Sequence, residues 1–430
     1  MNFLGHSLIS LEIDENANKK TLYGNFTGDY YKGLVDRIEL PEALKEGITL
    51  HRTIDKISDR KENSLNELLT DKFGIFKGIV SDMFIDHFLS KNFSSLFNKD
   101  IKLTEKKILN TIEKNRNIFP KDFDRMFKWL NDRNVMSNYK DIDFLERAFE
   151  GLARNIRKGE ILNLATTELK KNYNLFEEKS INEFFYVKNK SIEEAIKSIQ
   201  EKNKLRYGYR RVTSELRNMG FLVNHKKVLR LMRKLDILSF VRPTRKYNSY
   251  KGETGKIADN IIDRDFFASE SLKKCYTDVT EFKVGDEKIY LAPIIDGYNA
   301  EIIAYSVSFS PNMAQQYEML SQLKKERYDG MILHSDQGWQ YQHIEYRKYL
   351  KVKGITQSMS RKGTSADNAF MESFFGVLKS EMYYGFENTF KNKYELKEAI
   401  IDYIKYYNEE RIKLNLGGLS PVNYRKMNRN

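Results

Sequence analysis

The stretch M-I-L-H-S-D-Q-G-W-Q-Y, residues 331–341, joins a short apolar run to an acid and a glycine. Met331 to Leu333 have the length and the apolarity of a buried β-strand. The predicted strand ends at His334-Ser335-Asp336, so Asp336 leaves it at its carboxyl end. We therefore predict a mixed α/β region with this acid at the edge of its sheet.

Two more acids accompany Asp336. Asp278 stands in K-C-Y-T-D-V-T-E-F, within or at the end of the first of two predicted strands around the turn Gly285-Asp286. Glu372 lies in the first turn of a predicted helix that Asn368 can cap. Carboxylate oxygens suit Mg²⁺, and two such ions support phosphodiester chemistry. For each acid taken alone, an ordinary solvated residue is the commoner case.

Several motifs extend this pattern. They are Y-G-Y-R-R, N-H-K-K-V-L-R-L-M, R-K-Y-N-S-Y-K-G-E, T-D-V-T-E-F, H-S-D-Q-G-W-Q-Y, S-M-S-R-K-G and L-S-P-V-N-Y-R. Residues 206–425 thus resemble the second-frame (OrfB) transposases of the IS-three group of insertion sequences. The resemblance implies a ribonuclease-H-like integrase core in which Asp278, Asp336 and Glu372 hold two Mg²⁺ ions for DNA cleavage and strand transfer. Cys275-Tyr276 and Ser365-Ala366 depart from the family's usual residues beside these acids.

The positive charge is confined to one segment. The chain has 73 Lys plus Arg against 60 Asp plus Glu, a net charge of +13. Residues 1–178 hold 29 basic and 29 acidic residues, whereas residues 187–257 hold 19 basic and 6 acidic. A basic segment on an otherwise balanced chain is typical of a DNA-contacting module.

The same segment has helix-turn-helix spacing. A first helix is predicted over 212–219 and ends at Gly220, and Asn224 can cap a second helix with Val228, Leu231 and Leu235 inward. The predicted DNA contacts are the basic residues of this segment and one lysine after the third acid: Arg210, Arg211, Lys226, Lys227, Arg230, Arg233, Lys234 and Lys379. A solvated basic helix is the alternative. Residues 242–265 are predicted to be an extended linker.

The first part of the chain has a different chemistry. His51 and Asp55 are spaced i, i+4 and share a helix face, as do Asp82 and Asp86. His87 follows Asp86 directly, and His6 and Asp29 complete a set of nitrogen and oxygen ligands suited to Mn²⁺ or a similar divalent metal. A surface or helix-capping role is the usual alternative for a single His/Asp pair.

Four motifs carry a second resemblance. They are M-N-F-L-G-H, L-Y-G-N-F-T-G-D-Y-Y-K-G, G-I-T-L-H-R-T-I-D and G-I-V-S-D-M-F-I-D-H-F-L. Residues 1–185 are similar to the acyl carrier protein phosphodiesterases. This implies an all-α, HD-like, metal-dependent hydrolase that releases 4'-phosphopantetheine from holo-acyl carrier protein. Its implied ligands or acid–base groups are Asp29, His51, Asp55, Asp86 and His87.

The predicted organisation is multidomain: an all-α hydrolase-like domain over 1–185, a helix-turn-helix segment and linker over 187–257, and an α/β ribonuclease-H-like core over 266–427. The predicted partners are the DNA of element ends and target, holo-acyl carrier protein and further copies of this chain. The alternatives are a non-catalytic DNA-binding protein and an acyl carrier protein hydrolase with an inert passenger. The single cysteine excludes an intrachain disulfide, and without a signal peptide or membrane span we expect a cytoplasmic protein.

Overall fold

The computed structural model describes residues 2–121, 123–239, 257–325 and 328–428. Most of the predicted linker, residues 242–256, lies outside these ranges. The chain forms two compact units, residues 1–204 with 212–237, and residues 205–211 with 238–430. Within the described ranges, no helix has the length and apolarity that crossing a membrane requires.

The described part of the first unit is helical, which confirms the prediction for the N-terminal region. Asparagine and aspartate side chains cap several helices, among them Asn63, Asp100 and Asn224. The helices are α1 Phe3–Ala17, α2 Thr21–Phe26, α3 Glu42–Ser58, α4 Ser64–Phe73, α5 Lys77–Lys91, α6 Phe93–Phe97, α7 Ile101–Glu113, α8 Phe123–Asp132, α9 Val135–Asn138, α10 Ile142–Asn155, α11 Ala165–Lys171, α12 Tyr173–Lys202, α13 Tyr209–Asn218 and α14 His225–Lys234.

Helices α2 and α3 cross at two glycines. A Cβ atom on Gly24 would lie 2.1 Å from the backbone oxygen of Leu44, and one on Gly47 would lie 2.1 Å from that of Thr21. No side chain fits at this distance, so the two backbones touch directly. The crossing brings Asn25 of α2 beside His51 of α3, whose Nδ1 lies 2.8 Å from the Asn25 backbone oxygen.

Gly24→Ala is expected to lower the stability of the first unit by about 3 kcal/mol, because the added methyl group forces the two helices apart. Gly78→Ala is the matched control, since a Cβ at Gly78 in α5 meets nothing within 4 Å. The control should be neutral or slightly stabilising, as alanine is the better helix former. Thermal unfolding followed by circular dichroism measures both, and equal melting temperatures would contradict the proposed crossing.

Helix α12 runs unbroken for 30 residues through the region where the sequence predicts a join between two proteins. Phe176, Phe184 and Val187 belong to the core of the N-terminal helices. Further along the same helix, Ile196 and Ile199 are buried. The join is therefore helical rather than an irregular linker.

The helix-turn-helix elements follow α12. The predicted ends are confirmed at Gly220, which has φ +92°, and at Asn224, whose side chain accepts the Lys226 N–H. A Cβ on Gly220 would lie 2.4 Å from the backbone oxygen of Ile13, so this turn is seated on α1. Leu235, which is predicted to point inward, is only half-buried. Helix α14 ends at Lys234, and Met232 is buried instead.

The second unit contains a six-stranded mixed sheet and six helices in its described part, which confirms the predicted α/β class. The elements are β1 Lys274–Thr277, β2 Thr280–Val284, β3 Glu287–Asp296, β4 Ile302–Ser308, α15 Met313–Ser321, β5 Ile332–Ser335, α16 Trp339–Gln342, α17 Ile344–Val352, β6 Thr356–Met359, α18 Ala369–Met382, α19 Lys393–Glu409 and α20 Pro421–Met427.

The long strand β3 organises the sheet. It pairs antiparallel with β4, and also with β1 and β2. Strands β1, β5 and β6 are parallel neighbours. One face packs against α18 and α19 through residues such as Leu378 and Ile400, and the other packs against α15 and α17 through Leu320 and Leu350. Helix α19 therefore covers one face of the sheet.

Candidate active sites

Asp278 and Asp336 lie side by side at the carboxyl ends of two parallel strands. Asp278 occupies the break between β1 and β2, and Asp336 follows β5 directly. The register pairs Tyr276 with His334, so two residues further along each chain the two acids stand next to each other. Both are half-buried.

The two carboxylates disturb each other's ionisation. Burial, together with the neighbouring Asp336, raises the pKa of Asp278 well above its ordinary value. Burial also raises the pKa of Asp336, although a 2.9 Å hydrogen bond from the Gly338 N–H opposes this. Two acids that repel each other in a half-buried place gain stability from a shared cation, because the cation removes the repulsion. The donor set of carboxylate oxygens therefore fits a divalent metal.

Glu372 completes the set from the helix side. It lies in the first turn of α18 with an exposed side chain, as predicted from the sequence, and its charge contributes to the raised pKa of Asp278. Asn368 precedes the helix, but its side chain makes no cap hydrogen bond. Instead its Nδ2 donates to Asp278 Oδ2 at 3.3 Å. The predicted capping role is wrong, since the amide is turned toward the acid.

Sequence reasoning misses Asp367, which fixes the start of α18. This carboxylate is fully buried and accepts hydrogen bonds from Arg361 at 2.8 Å, Arg264 at 2.9 Å and Asn260 at 3.0 Å. The hydrogen bonds from Arg361 hold the pKa of Asp367 far below its ordinary value. Asp367 thereby anchors the segment that carries Asn368 and Glu372. The signal available in the sequence is the arginine of S-M-S-R-K-G six residues earlier.

Two neighbours of the acids have clear roles in the structure. The Lys379 Nζ donates to the backbone oxygen of Glu281 at 2.9 Å, and its charge lowers the pKa of Asp278. The buried His334 has both ring nitrogens near hydroxyls, those of Ser358 at 2.9 Å and Ser360 at 3.1 Å. This agrees with a structural role for His334.

The predicted DNA-contacting residues fall into two groups. Lys226, Arg230 and Arg233 are exposed on α14. The Nζ atoms of Lys227 and Lys234 reach Asn189 at 2.9 Å and Glu193 at 3.0 Å.

The two arginines of Y-G-Y-R-R differ in their surroundings. Arg210 is exposed beside Tyr209, whereas Arg211 is half-buried in an ion pair with Glu381 at 3.0 Å. Arg211 thus has a structural partner that the sequence does not reveal.

The first unit holds a compact group of metal-binding atoms. Among the described residues, His6, His51 and Asp55 form the one set of three or more whose ligand atoms all lie within 4.8 Å of one another. The two imidazole rings stack with centroids 4.4 Å apart. The His6 Nε2 lies 3.2 Å and the His51 Nε2 3.0 Å from oxygens of Asp55. Asp29 stands 3.2 Å from the His51 Nε2.

The hydrogen bonds on the far side of each ring set the orientation of the two histidines. The His6 Nδ1 lies 2.8 Å from the side-chain oxygen of Asn25, and the His51 Nδ1 lies 2.8 Å from the backbone oxygen of the same residue. Each Nδ1 can donate a hydrogen bond to an oxygen of Asn25, which turns each Nε2 toward Asp55. This is the arrangement of histidines that ligate a metal. The donor set fits a divalent ion.

The structure does not bring Asp86 and His87 into this group. Asp86 is fully buried and accepts the backbone N–H groups of Leu4 at 2.8 Å and Gly5 at 3.0 Å, so it anchors the start of α1. Burial raises the pKa of Asp86 to about 7. The His87 nitrogens face the Tyr139 backbone oxygen at 2.7 Å and the Tyr173 hydroxyl at 2.8 Å.

Comparison with known proteins decides the family of the larger part of the chain. Residues 188–247 match the model of an HTH-like domain, and residues 268–365 and 372–428 match two models described as integrase core domain. Over 236 residues the chain is 48% identical to the putative transposase InsK of insertion sequence IS150 from Escherichia coli K12, covering 54% of this chain and 82% of that protein. The chain belongs to the insertion-sequence transposases.

Other relatives of this transposase give the same family. A transposase-like protein of Haemophilus influenzae is 51% identical over 210 residues, covering 48% of this chain and 95% of the relative. The transposase InsF of insertion sequence IS3A from E. coli K12 is 32% identical over 234 residues, covering 53% and 79%. The integrase core implies the use of divalent metal ions, and together with the HTH-like domain it implies DNA binding.

The N-terminal part of the transposase chain matches another family. Residues 1–187 fit the model of acyl carrier protein phosphodiesterase. The two matches meet between residues 187 and 188, inside helix α12. The chain is therefore a fusion, as the sequence predicts.

Proposed function

We propose that the second unit cuts DNA at the ends of a mobile element and joins the freed ends to target DNA, with Asp278, Asp336 and Glu372 holding two Mg²⁺ ions. The observation that carries this proposal is the pairing of Asp278 with Asp336 at the carboxyl ends of β1 and β5. When bound, the ions activate the attacking oxygen and stabilise the leaving oxygen.

The chain's own residues position the reactants. The Asn368 amide and the Gly338 N–H orient the carboxylates of Asp278 and Asp336. Water first attacks a phosphodiester at the element end, breaks its bond to the 3' oxygen and releases a 3' hydroxyl. This hydroxyl then attacks a target phosphodiester and displaces the 3' oxygen of the target strand, which leaves as a new 3' hydroxyl. The exposed basic side of α14 supplies DNA affinity through phosphate contacts, with this helix entering the major groove. Because the reaction uses paired ends, we also propose that copies of the chain assemble on DNA.

The test is an incubation of the full-length chain with labelled duplex DNA from the ends of its element, with and without Mg²⁺. Nicked and joined products that need Mg²⁺ are the expected result. Salt-sensitive binding without any Mg²⁺-dependent product would instead favour a non-catalytic DNA-binding protein.

The group formed by His6, His51 and Asp55 favours a second function. We propose that the first unit holds Mn²⁺ or a similar ion there and hydrolyses the phosphodiester between 4'-phosphopantetheine and the serine of holo-acyl carrier protein. Asn25 fixes both imidazoles, so the nitrogen ligands are in place before metal binds. The intact mass of holo-acyl carrier protein after incubation with the full-length chain and Mn²⁺ measures this reaction. Loss of the phosphopantetheine mass is expected, and an unchanged mass would mark this unit as inactive.

A further inference from the structure

A cluster of cations surrounds the end of helix α18. Glu381, in the last turn of this helix, accepts hydrogen bonds from Arg411 at 2.6 and 2.8 Å, from Arg211 at 3.0 Å and from the Tyr403 hydroxyl at 2.8 Å. The Arg206 Nε donates to the Glu381 backbone oxygen at 3.1 Å. One carboxylate thus serves two guanidinium groups, with a third beside it.

Lys413 lies near this cluster but, among the described residues, has no carboxylate partner. Its side chain is half-buried, with Nζ 4.8 Å from the centre of the Tyr407 ring. In the part of the chain that the structure describes, Lys413 forms no ion pair with a carboxylate within 4.0 Å. Burial, with Arg411 and Arg211 nearby, lowers the pKa of Lys413 to about 7. The amine therefore stands in a place that disfavours its own charge.

The backbone of Lys413 is held firmly. Its N–H donates to the Leu419 oxygen at 3.0 Å, and its own oxygen accepts the Gly418 N–H at 3.0 Å. This bridge closes the turn before α20. A lysine on a fixed backbone loses less conformational entropy when it binds a ligand than one on a loose loop. The cluster is thus partly organised before any ligand arrives.

The charge of the cluster points to an anion. Arg211 and Arg411 share the single carboxylate of Glu381, and among the described residues Lys413 has no carboxylate partner. Partly buried cations are costly unless they are paired. Phosphate oxygens pair well with both ammonium and guanidinium groups, and the second unit already has a proposed phosphodiester substrate.

We propose that Lys413, together with Arg211, binds a backbone phosphate of the DNA several nucleotides from the one that is cleaved. This inference rests on the proposed function of the second unit. Glu381 follows Glu372 by nine residues on α18, and that length of helix rises about 14 Å. The same length corresponds to about four nucleotides along a strand. The site and the acids can thus hold one DNA strand at two points.

Lys413→Gln in the full-length chain tests the proposal by titration of DNA binding against salt without divalent metal. We expect affinity to fall about tenfold and the slope of log K against log salt to decrease by about one. Lys405→Gln is the matched control, because Lys405 is an exposed lysine on α19. The control should change neither quantity.

Two further measurements separate a phosphate site from a structural role. The melting temperature of Lys413→Gln without DNA should equal or exceed that of the parent chain, since a surplus cation is removed. A lower melting temperature with an unchanged salt slope would overturn the proposal. Inorganic phosphate could instead raise the melting temperature of the parent chain but not that of Lys413→Gln. If the salt slope of Lys413→Gln then equals that of the parent chain, the site binds free phosphate rather than DNA.

The outcome is distinct from that of the cleavage test. A chain that binds DNA without Mg²⁺-dependent products contradicts the proposed catalysis, but the salt slopes of the two variants still decide the phosphate site. A chain that binds no DNA overturns the phosphate site together with the proposed function.

Discussion

Replacing Glu372 with glutamine is expected to abolish both DNA cleavage and strand transfer and to leave DNA binding unchanged. The substitution keeps the size of the side chain and removes the charge that α18 brings to Asp278. Losing a carboxylate ligand costs several kcal/mol of transition-state stabilisation, so product formation should fall at least about 1,000-fold. The measurement compares Mg²⁺-dependent products on labelled element-end DNA with binding by fluorescence anisotropy.

Glu398→Gln is the matched control for this experiment. Glu398 is an exposed glutamate on α19, so the same chemical change there should leave both activities intact. If the Glu372→Gln chain still joins strands at the parent rate, the assignment of the three acids is wrong. A joint loss of binding and products would point to misfolding, which circular dichroism of the same sample reveals.

His51→Ala should abolish release of phosphopantetheine from holo-acyl carrier protein. His51 supplies one of the two Nε2 atoms that face Asp55, and Asn25 holds its ring in the ligating orientation. Loss of a residue that only supports a metal ligand lowers metal affinity or activity about 10- to 100-fold. Removal of a ligand itself should therefore lower both at least about 100-fold. The intact mass of the carrier protein reports the activity, and calorimetric titration with Mn²⁺ reports the metal.

His225→Ala serves as the control, because this exposed histidine begins α14 and is not one of the predicted metal ligands. It should release phosphopantetheine at the parent rate and bind Mn²⁺ with the parent affinity. Full activity of the His51→Ala chain would contradict the metal site. If His51→Ala loses Mn²⁺ binding but the parent chain never releases phosphopantetheine, the metal site has a role other than this hydrolysis.

The positions of Asp278 and Asp336 at strand ends can be predicted from the sequence for a physical reason. An apolar run followed by a polar acid marks the end of a buried strand, and parallel neighbours bring such ends together, as with Asp278 and Asp336. The hydrogen-bond partner of a polar side chain, in contrast, cannot be predicted from the sequence. Asn368 is chemically able to cap α18 but donates to Asp278 instead, and Asp367 pairs with the nearby Arg361 and with Arg264 from a distant segment.

The N-terminal site shows the same limit. Helical spacing finds the pair His51 and Asp55, which share a face of α3. The same rule predicts that Asp82 and Asp86 share a face of α5, but it does not say what that face packs against. In the structure Asp86 meets the start of α1, and His6 from α1 joins the metal-binding group. Only the packing of α1 against α5 distinguishes these outcomes.

The unbroken helix α12 constrains how such a fusion can arise. Each residue added to or removed from an α-helix turns everything beyond it by about 100° and moves it by about 1.5 Å. A junction of one residue more or less near position 188 would keep the reading frame yet rotate Ile196 and Ile199 away from their buried side. Sequences joined at this point must therefore agree in helical phase as well as in reading frame. An insertion of seven residues, which is close to two full turns, should disturb the buried side of α12 less than an insertion of one residue.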